Sequence, residues 1–413
     1  MAGYIEDLER QYQNEVVTLF LETLKYKYLG NLQYTKGAKV NCLGKANSPI
    51  IESEVEAYLT DAGYTAMQIE GAMFQLKRTV RLTDKRMVSL MDVNNDVYDL
   101  LVTGCSVKPS TEKTERDVMY FNFTKPEKNR FAIAEEVSYI DPLTTCHSRP
   151  DIVVYVNGIA LCVIELKRSI VSLEEGIRQH LSNESDLIPS FFTTTQFTVS
   201  ARHAEHKELE QGERVEDELY GFKYATIGTP LSFWCPWKPD TNRTGIVLSD
   251  MESFAEFFTK EHFLFLFRYG VLSDGGIKKV MRPHQYYALR AAEPRLQKKA
   301  SGVIWHSQGS GKSLTMVWLA GYIKANYEDP RVLVITDRTE LDRQLSTDFS
   351  DAGNNIHHVT SQSDLLKTLH DGKEWLITTL IHKFGKHSKH DEMHLQIAAL
   401  VFHLTVTLPT CRK

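Results

Sequence analysis

Asp151, Glu165 and Lys167 are the residues whose types and spacing first suggest chemistry. They lie in RPDIVVYVNGIALCVIELKRS, with Asp151 after Pro150 and with Glu165-Leu166-Lys167 closing the second apolar run. Glu165 and Lys167 are two apart, so on a strand they project from one face. Two carboxylates held together can bind Mg²⁺, a hard ion that takes oxygen ligands. Such an ion lowers the pKa of bound water and stabilises charge on a phosphoryl oxygen, and a neighbouring lysine offsets developing negative charge. The combination suits phosphodiester hydrolysis. The competing reading is a salt bridge on an edge strand, Glu165 to Lys167 or Arg168. Against it stands the apolar surround, where unpaired charge is expensive.

For the three to cooperate, Asp151 must share the face of Glu165. Asn157-Gly158 between the apolar runs is a strong hairpin signal. A plain two-residue turn would pair Asp151 with Ile164 and send Glu165 to the other face. A three-residue loop, or a bulge at Gly158, brings Asp151 beside Glu165.

A second group of residues points to phosphate binding. Residues 306–313, HSQGSGKS, end as a Walker A loop does, after the apolar VIW and before the helical SLTMVWLAGYI. Gly309 and Gly311 let backbone N–H groups approach phosphate, with Ser310 between them. Lys312 reaches the β- and γ-phosphates, and Ser313 can ligate Mg²⁺. His306 stands where the first glycine is usual. Hydrolysis would also need an Asp-Glu pair ending a later apolar strand. Downstream the pair occurs at Asp391-Glu392, inside the polar stretch KFGKHSKHDEMHL, which is a poor buried parallel strand.

The elements that must position these residues follow from periodicity and turn formers. Apolar residues at three-and-four spacing predict a helix from Glu6 to Leu24, and another runs from Glu52 to Ala62, stopped by Gly63. Residues 130–166 read as strands, and a helix begins near Leu173, capped by Ser172 with Glu174 and Glu175 in its first turn. Strand-like pieces return at 191–199 and 224–227. The charged stretch 202–221 between them reads as a solvated helix or surface insertion. The turn-rich WCPWKPDTNRTG, residues 234–245, marks a domain boundary. Helices near 251–268 and 283–297 then lead to VIW, VLVIT and WLITT, strands that alternate with helices and predict a parallel α/β domain.

The chain has 413 residues, enough for two or three domains. Its net charge of −5 excludes a histone-like binder, so any nucleic-acid surface must be a local patch. No apolar run approaches the ~20 residues of a membrane helix. The polar, acidic start is no secretory signal. The six cysteines have no C-x-x-C spacing, which fits reduced thiols in a cytoplasmic protein.

Taken together, a P-D…E-L-K hairpin, a helix carrying Gln179 and an H-x-x-G-S-G-K-S loop resemble the motor (R) subunit of type I restriction–modification enzymes. RFAIAEEVSYIDP, YATIGTP, MRPHQYYALRAA and VLVITDRTELDRQL are similar to that family as well, and the likeness covers residues 1–390. The resemblance implies an α/β chain with a PD-(D/E)xK endonuclease-like domain, a mixed sheet flanked by helices, over 1–240. A RecA-like P-loop domain with a parallel sheet, 241–413, would follow, the first domain of a superfamily 2 helicase-like translocase. By the same likeness Asp151 and Glu165 are metal ligands and Lys167 and Gln179 catalytic. Arg282 and Gln285 contact adenine, and Thr378 and Thr379 touch the DNA backbone. Glu54, on an early helix, is a further candidate metal ligand at the edge of the site. Mg²⁺ and ATP are the implied cofactors. Double-stranded DNA and the methylation and specificity subunits are the implied partners.

The sequence also departs from that family. Its nuclease helix often reads Gln-x-x-x-Tyr, but Asn183 stands in the tyrosine's place. The likeness stops after Met393, before a Walker B pair or a second RecA-like domain, as a frameshift or early stop would produce. A motor segment that binds ATP without turning it over is expected. Three readings therefore stand side by side: the N-terminal piece of a restriction subunit, a standalone Mg²⁺-dependent nuclease, and a non-catalytic remnant that binds ATP, DNA or partner subunits.

Overall fold

Asn157 and Gly158 take φ of 52° and 80°, the left-handed pair that a two-residue hairpin turn demands. In the computed structural model the described residues are 2–33, 48–81, 89–107, 116–169, 171–204, 207–208, 221–238, 246–384 and 400–403. Gly158 is required twice over, since a Cβ there would sit 2.6 Å from the Ile51 carbonyl oxygen. Asn157 is fully buried, its amide donating to Tyr120 O (2.8 Å) and Asn129 Oδ1 (2.9 Å) and its Oδ1 accepting from Arg130 N (2.7 Å).

This turn joins the central pair of a seven-stranded mixed sheet. Its strands are β1 (Lys27–Asn31), β2 (Phe131–Glu135), β3 (Ile152–Val156), β4 (Ile159–Lys167), β5 (Phe197–Arg202), β6 (Phe222–Ala225) and β7 (Cys235–Pro236). They lie in sequence order across the sheet. β1 is parallel to β2 and β4 to β5, and the other neighbours are antiparallel. β2 and β3 are buried along their whole length, and β4 everywhere but Lys167, as strands covered on both faces must be. The strand expected at 191–199 starts later, at Phe197, because Pro189–Thr193 forms a 3₁₀ turn.

Helices α1 (Ala2–Thr18), α2 (Glu52–Asp61), α3 (Ala66–Thr79), α4 (Leu90–Thr103) and α5 (Leu173–Ser182) belong to the same unit. α1 runs on through a π turn, Leu19–Thr23, and buries Val16, Val17, Phe20 and Leu24. α5 is the crossover between parallel β4 and β5. It starts as the sequence predicts, with the Ser172 side chain accepting from Glu174 N. Its Gly176 faces the sheet: a Cβ there would lie 2.3 Å from Ser200 Oγ on β5 and 3.5 Å from Lys167 Cγ on β4. Glycine at this position lets the helix lie directly on the strands that carry the candidate site.

The chain divides into two compact units, residues 1–271 with 278–284, and residues 272–277 with 285–413. The boundary expected at 240 falls inside the first. Helices α6 (Asp250–Phe257) and α7 (Lys260–Tyr269) bring Phe254 and Phe263 to 5.3 Å from Phe222 and Phe197 of the sheet. Burying that aromatic surface outweighs the turn-rich composition just before it.

In the second unit β8 (Val332–Thr336), β9 (His357–His358), β10 (Leu376–Leu380) and β11 (Leu400–His403) form a fully parallel sheet in the order β9-β10-β8-β11. Helices α8 (Pro283–Gln297), α9 (Lys312–Asn326), α10 (Thr339–Asp351) and α11 (Gln362–Asp371) alternate with it. VIW is not a strand here. Val303 and Trp305 are 88% and 76% exposed. Three apolar residues are a short ladder to begin with, and β11 pairs along β8 instead. No described helix is long and apolar enough to cross a membrane.

The close seat of α5 gives a test. Gly176→Ala is expected to cost about 1–3 kcal/mol by overpacking against Ser200, measured by urea denaturation. Adding Ser200→Ala, which removes the nearest atom, should recover part of that loss.

Candidate active site

The parity of the β3–β4 hairpin decides whether its acids can meet. Val156 pairs with Ile159 and Tyr155 with Ala160, but Val154 pairs with Cys162 and Ile152 with Ile164. Leu161 is therefore an extra residue, a bulge on β4. It shifts the register by one and sets Asp151 opposite Glu165. The sequence offered a longer loop or a bulge at Gly158. The turn stays at two residues and the bulge lies three positions further on.

Asp151 Oδ2 accepts a hydrogen bond from Leu166 N at 2.7 Å, which ties the start of β3 to the end of β4. Lys167 Nζ lies 3.8 Å from Glu165 Oε2 and donates to Gln179 Oε1 on α5 at 2.7 Å. Asp151, Glu165, Lys167 and Gln179 thus come together. Glu165 is completely buried, and neither carboxylate oxygen has a hydrogen-bond partner. Burial, reinforced by the charge of Asp151 and opposed by Lys167, pushes the Glu165 carboxyl well above its usual range. Burial also pushes Asp151 up to about 6, although Lys167 and the Leu166 N–H pull it down.

A fully buried carboxyl with neither oxygen hydrogen-bonded, beside a half-buried one, both with raised pKa values, fits a divalent cation. The ion would replace the missing partners and favour the charged forms. Among the described residues no group of three or more His, Cys, Asp and Glu side chains is arranged to hold a metal, so the acids that could contribute here are the pair. His180, next to Gln179, takes no part. It is fully buried with Nε2 2.8 Å from Val199 O, and burial lowers its pKa to about 4.

Glu9 on α1 and Glu136 after β2 are further acids near the pair, and the charges of both raise the Asp151 carboxyl. Glu136 N donates to Asp151 O at 2.9 Å, and its side chain pairs with Arg149 Nε at 2.6 Å. The paired acids after the apolar FAIA were the available signal.

Glu54 lies elsewhere. It sits by the Gly158 turn, its Cβ 2.9 Å from where a Cβ on Gly158 would be. Six strand residues, 159–164, separate that turn from Glu165, about 20 Å at roughly 3.3 Å each. Its carboxylate pairs with Lys27 (2.6 Å) and Arg130 (3.0 Å). Burial alone would raise its pKa, but these cations outweigh it and hold the carboxyl low. It is an ion-pair centre, not a ligand of the Asp151–Glu165 site.

In the second unit Gly309 and Gly311 have φ of 78° and 77°, and Gly311 caps α9. Lys312 Nζ folds back on the loop to Ser307 O (2.9 Å) and His306 O (3.4 Å), as Ser310 Oγ does to Ser307 O (2.7 Å). Ser313 lies in the first turn of α9. Buried Gln285 donates to Gly311 O at 3.1 Å, so it braces the loop before α9. Arg282 belongs to the first unit. Thr378 and Thr379, expected on a DNA-facing surface, are buried, and Thr378 Oγ1 donates to the buried Asp342. Asp391 and Glu392 lie outside the described residues.

Comparison with known proteins agrees with this division. Residues 7–211 match the family described as type I restriction enzyme R protein N terminus, and residues 284–404 match SWI2/SNF2 ATPase. The chain belongs with the R proteins of type I restriction enzymes. It is 26% identical to a putative type I restriction enzyme endonuclease subunit of Methanocaldococcus jannaschii, over 71% of this chain and 30% of that protein. With a type I restriction enzyme endonuclease subunit of Staphylococcus aureus it shares 26% identity over 74% of this chain and 32% of the relative. With the HindI endonuclease subunit of Haemophilus influenzae the identity is 29%, over 65% and 26%. The chain thus spans about a third of these relatives' length.

The raised pKa of Asp151 has a measurable sign. Its folded value, about 6, lies above that of an unfolded aspartate. The stability it contributes is therefore complete at acid pH and lost as pH rises through about 6. In chelator, Asp151→Asn should gain in Tm relative to the parent chain as pH is raised from about 4 to 7. At the upper pH, Mg²⁺ should raise the Tm of the parent chain and leave that of the variant unchanged.

Proposed function

We propose that the first unit is a Mg²⁺-dependent endonuclease for double-stranded DNA, of PD-(D/E)xK type. It would act in the cytoplasm as part of a restriction complex with methylation and specificity subunits. The observation that carries this reading is Glu165: a wholly buried carboxylate with neither oxygen hydrogen-bonded, set opposite Asp151 and 3.8 Å from Lys167. Asp151 and Glu165 would hold the metal, which when bound supplies an activated water and charge stabilisation at phosphorus. Lys167, held by Gln179, presents its ammonium where negative charge develops on the phosphate. The apolar strands around the pair exclude bulk water, and their low dielectric strengthens each of these interactions.

The second unit reads as a RecA-like nucleotide-binding segment. Gly309 and Gly311 give the loop the backbone shape that aims N–H groups at phosphates, and the N-terminus of α9 adds its dipole. Lys312 would exchange its loop carbonyls for the β- and γ-phosphates. The segment is proposed to bind ATP at this loop.

Two outcomes test these readings. Mg²⁺-dependent cleavage of duplex DNA, with partner subunits and ATP supplied, should fall about 10²–10³-fold in Lys167→Ala while its thermal melt is unchanged; equal cleavage by the variant would remove the nuclease assignment. ATP affinity should fall at least about tenfold in Lys312→Ala, read by a nucleotide-binding titration.

A further inference from the structure

The turn end of the sheet, remote from Asp151 and Glu165, holds a cavity of about 450 Å³ that the proposed nuclease chemistry does not use. Four cations line it: Lys25, Lys27, Arg130 and Lys260. Glu54 is the one acid among its lining residues, and it pairs with Lys27 and Arg130. Arg130 also reaches the exposed Asp61 at 2.7 Å. Lys25 and Lys260 have no carboxylate partner among the described residues. This is a concentrated positive site in a chain whose net charge is −5. Lys25 is held in the left-handed region, φ 57°, where the chain leaves the π turn after α1 and enters β1. Such a backbone is uncommon for lysine and persists when the surroundings fix it.

The cavity also has an aromatic wall. Tyr26 and Phe131 are buried, with ring centroids 5.0 Å apart, and the Lys260 ammonium lies 5.7 Å from the centre of the Phe131 ring. The Tyr26 hydroxyl is committed to Phe258 O at 2.7 Å, so the ring is fixed and presents carbon, not a polar group. Cations at the rim select an anion. An aromatic wall and a volume in the ordinary ligand range select something larger than an inorganic ion. We propose that this cavity binds a phosphate ester of mononucleotide size, its phosphate between Lys25, Lys260 and the Lys27–Arg130 pair and its ring against Tyr26 and Phe131.

The geometry makes opposite predictions for its two kinds of charge. Lys25→Glu with Lys260→Glu removes the two uncommitted cations, and both side chains are accessible enough to be replaced without disturbing the core. Glu54→Gln frees Lys27 for the ligand and leaves Arg130 held by the exposed Asp61 alone. The test uses the full chain carrying Lys312→Ala, so that the phosphate loop does not report, with AMP as the probe in isothermal titration calorimetry. AMP should bind, the double lysine variant should bind at least about tenfold more weakly, and Glu54→Gln about threefold or more tightly. Adenosine should bind far more weakly than AMP, as should inorganic phosphate. The proposal is overturned if AMP does not bind at millimolar concentration, or if both sets of variants, with unchanged circular dichroism, leave its affinity where it was. Equal binding of adenosine would remove the cations' role, and equal binding of inorganic phosphate that of the aromatic wall. Displacement of AMP by a DNA duplex, sensitive to the same variants, would overturn the assignment to a small ligand.

Discussion

Leu161 has no partner across the β3–β4 hairpin, and for that reason Asp151 and Glu165 face each other. With side chains alternating every residue, a regular ladder from the Asn157-Gly158 turn would have set Ile164 opposite Asp151 and carried Glu165 to the far face. The bulge leaves the tight turn intact, so the clamp on Asn157 and the contact of Gly158 with Ile51 survive. The remaining geometry follows from the pairing. Asp151 takes the Leu166 N–H, and Lys167 emerges beside Glu165 where Gln179 can hold it.

The same placement carries an energetic cost. A carboxylate inside a fully covered sheet loses its hydration, and Glu165 has no hydrogen bond to replace it. Two acids side by side also repel, which is why both pKa values rise. A fold built for stability alone would set an apolar residue there, as at each of the six strand positions before it. Sites that hold cations carry such a conflict, because the ion that resolves it is absent during folding and present during function.

The local features were legible in the sequence. The hairpin turn, the Ser172 cap of α5, the apolar run ending in Glu165-Leu166-Lys167 and the glycines before α9 depend on neighbours a few residues away. The position of the bulge was not, since Leu161 sits in an apolar stretch and resembles the leucines and valines around it. The role of Glu54 was hidden for a different reason. Its partners Lys27 and Arg130 are 27 and 76 residues distant in sequence, and spacing says nothing about such pairs. The domain boundary was misplaced because a turn-rich stretch marks a bend in the chain, whereas the aromatic packing of Phe254 and Phe263 decides which unit the next helices join. VIW failed as a strand because its partner would have to come from elsewhere in the sheet, and β11 lies along β8.

On the reading proposed above, Asp151 and Glu165 are a cation-binding pair and not a buried accident of packing. A crystal of the chain soaked in Mn²⁺, read by anomalous scattering, tests it most directly. One strong peak is expected within about 2.2 Å of an oxygen of each carboxylate, with Lys167 still beside Gln179. A Mn²⁺ peak elsewhere, with the Glu165 oxygens unpartnered as before, would contradict it.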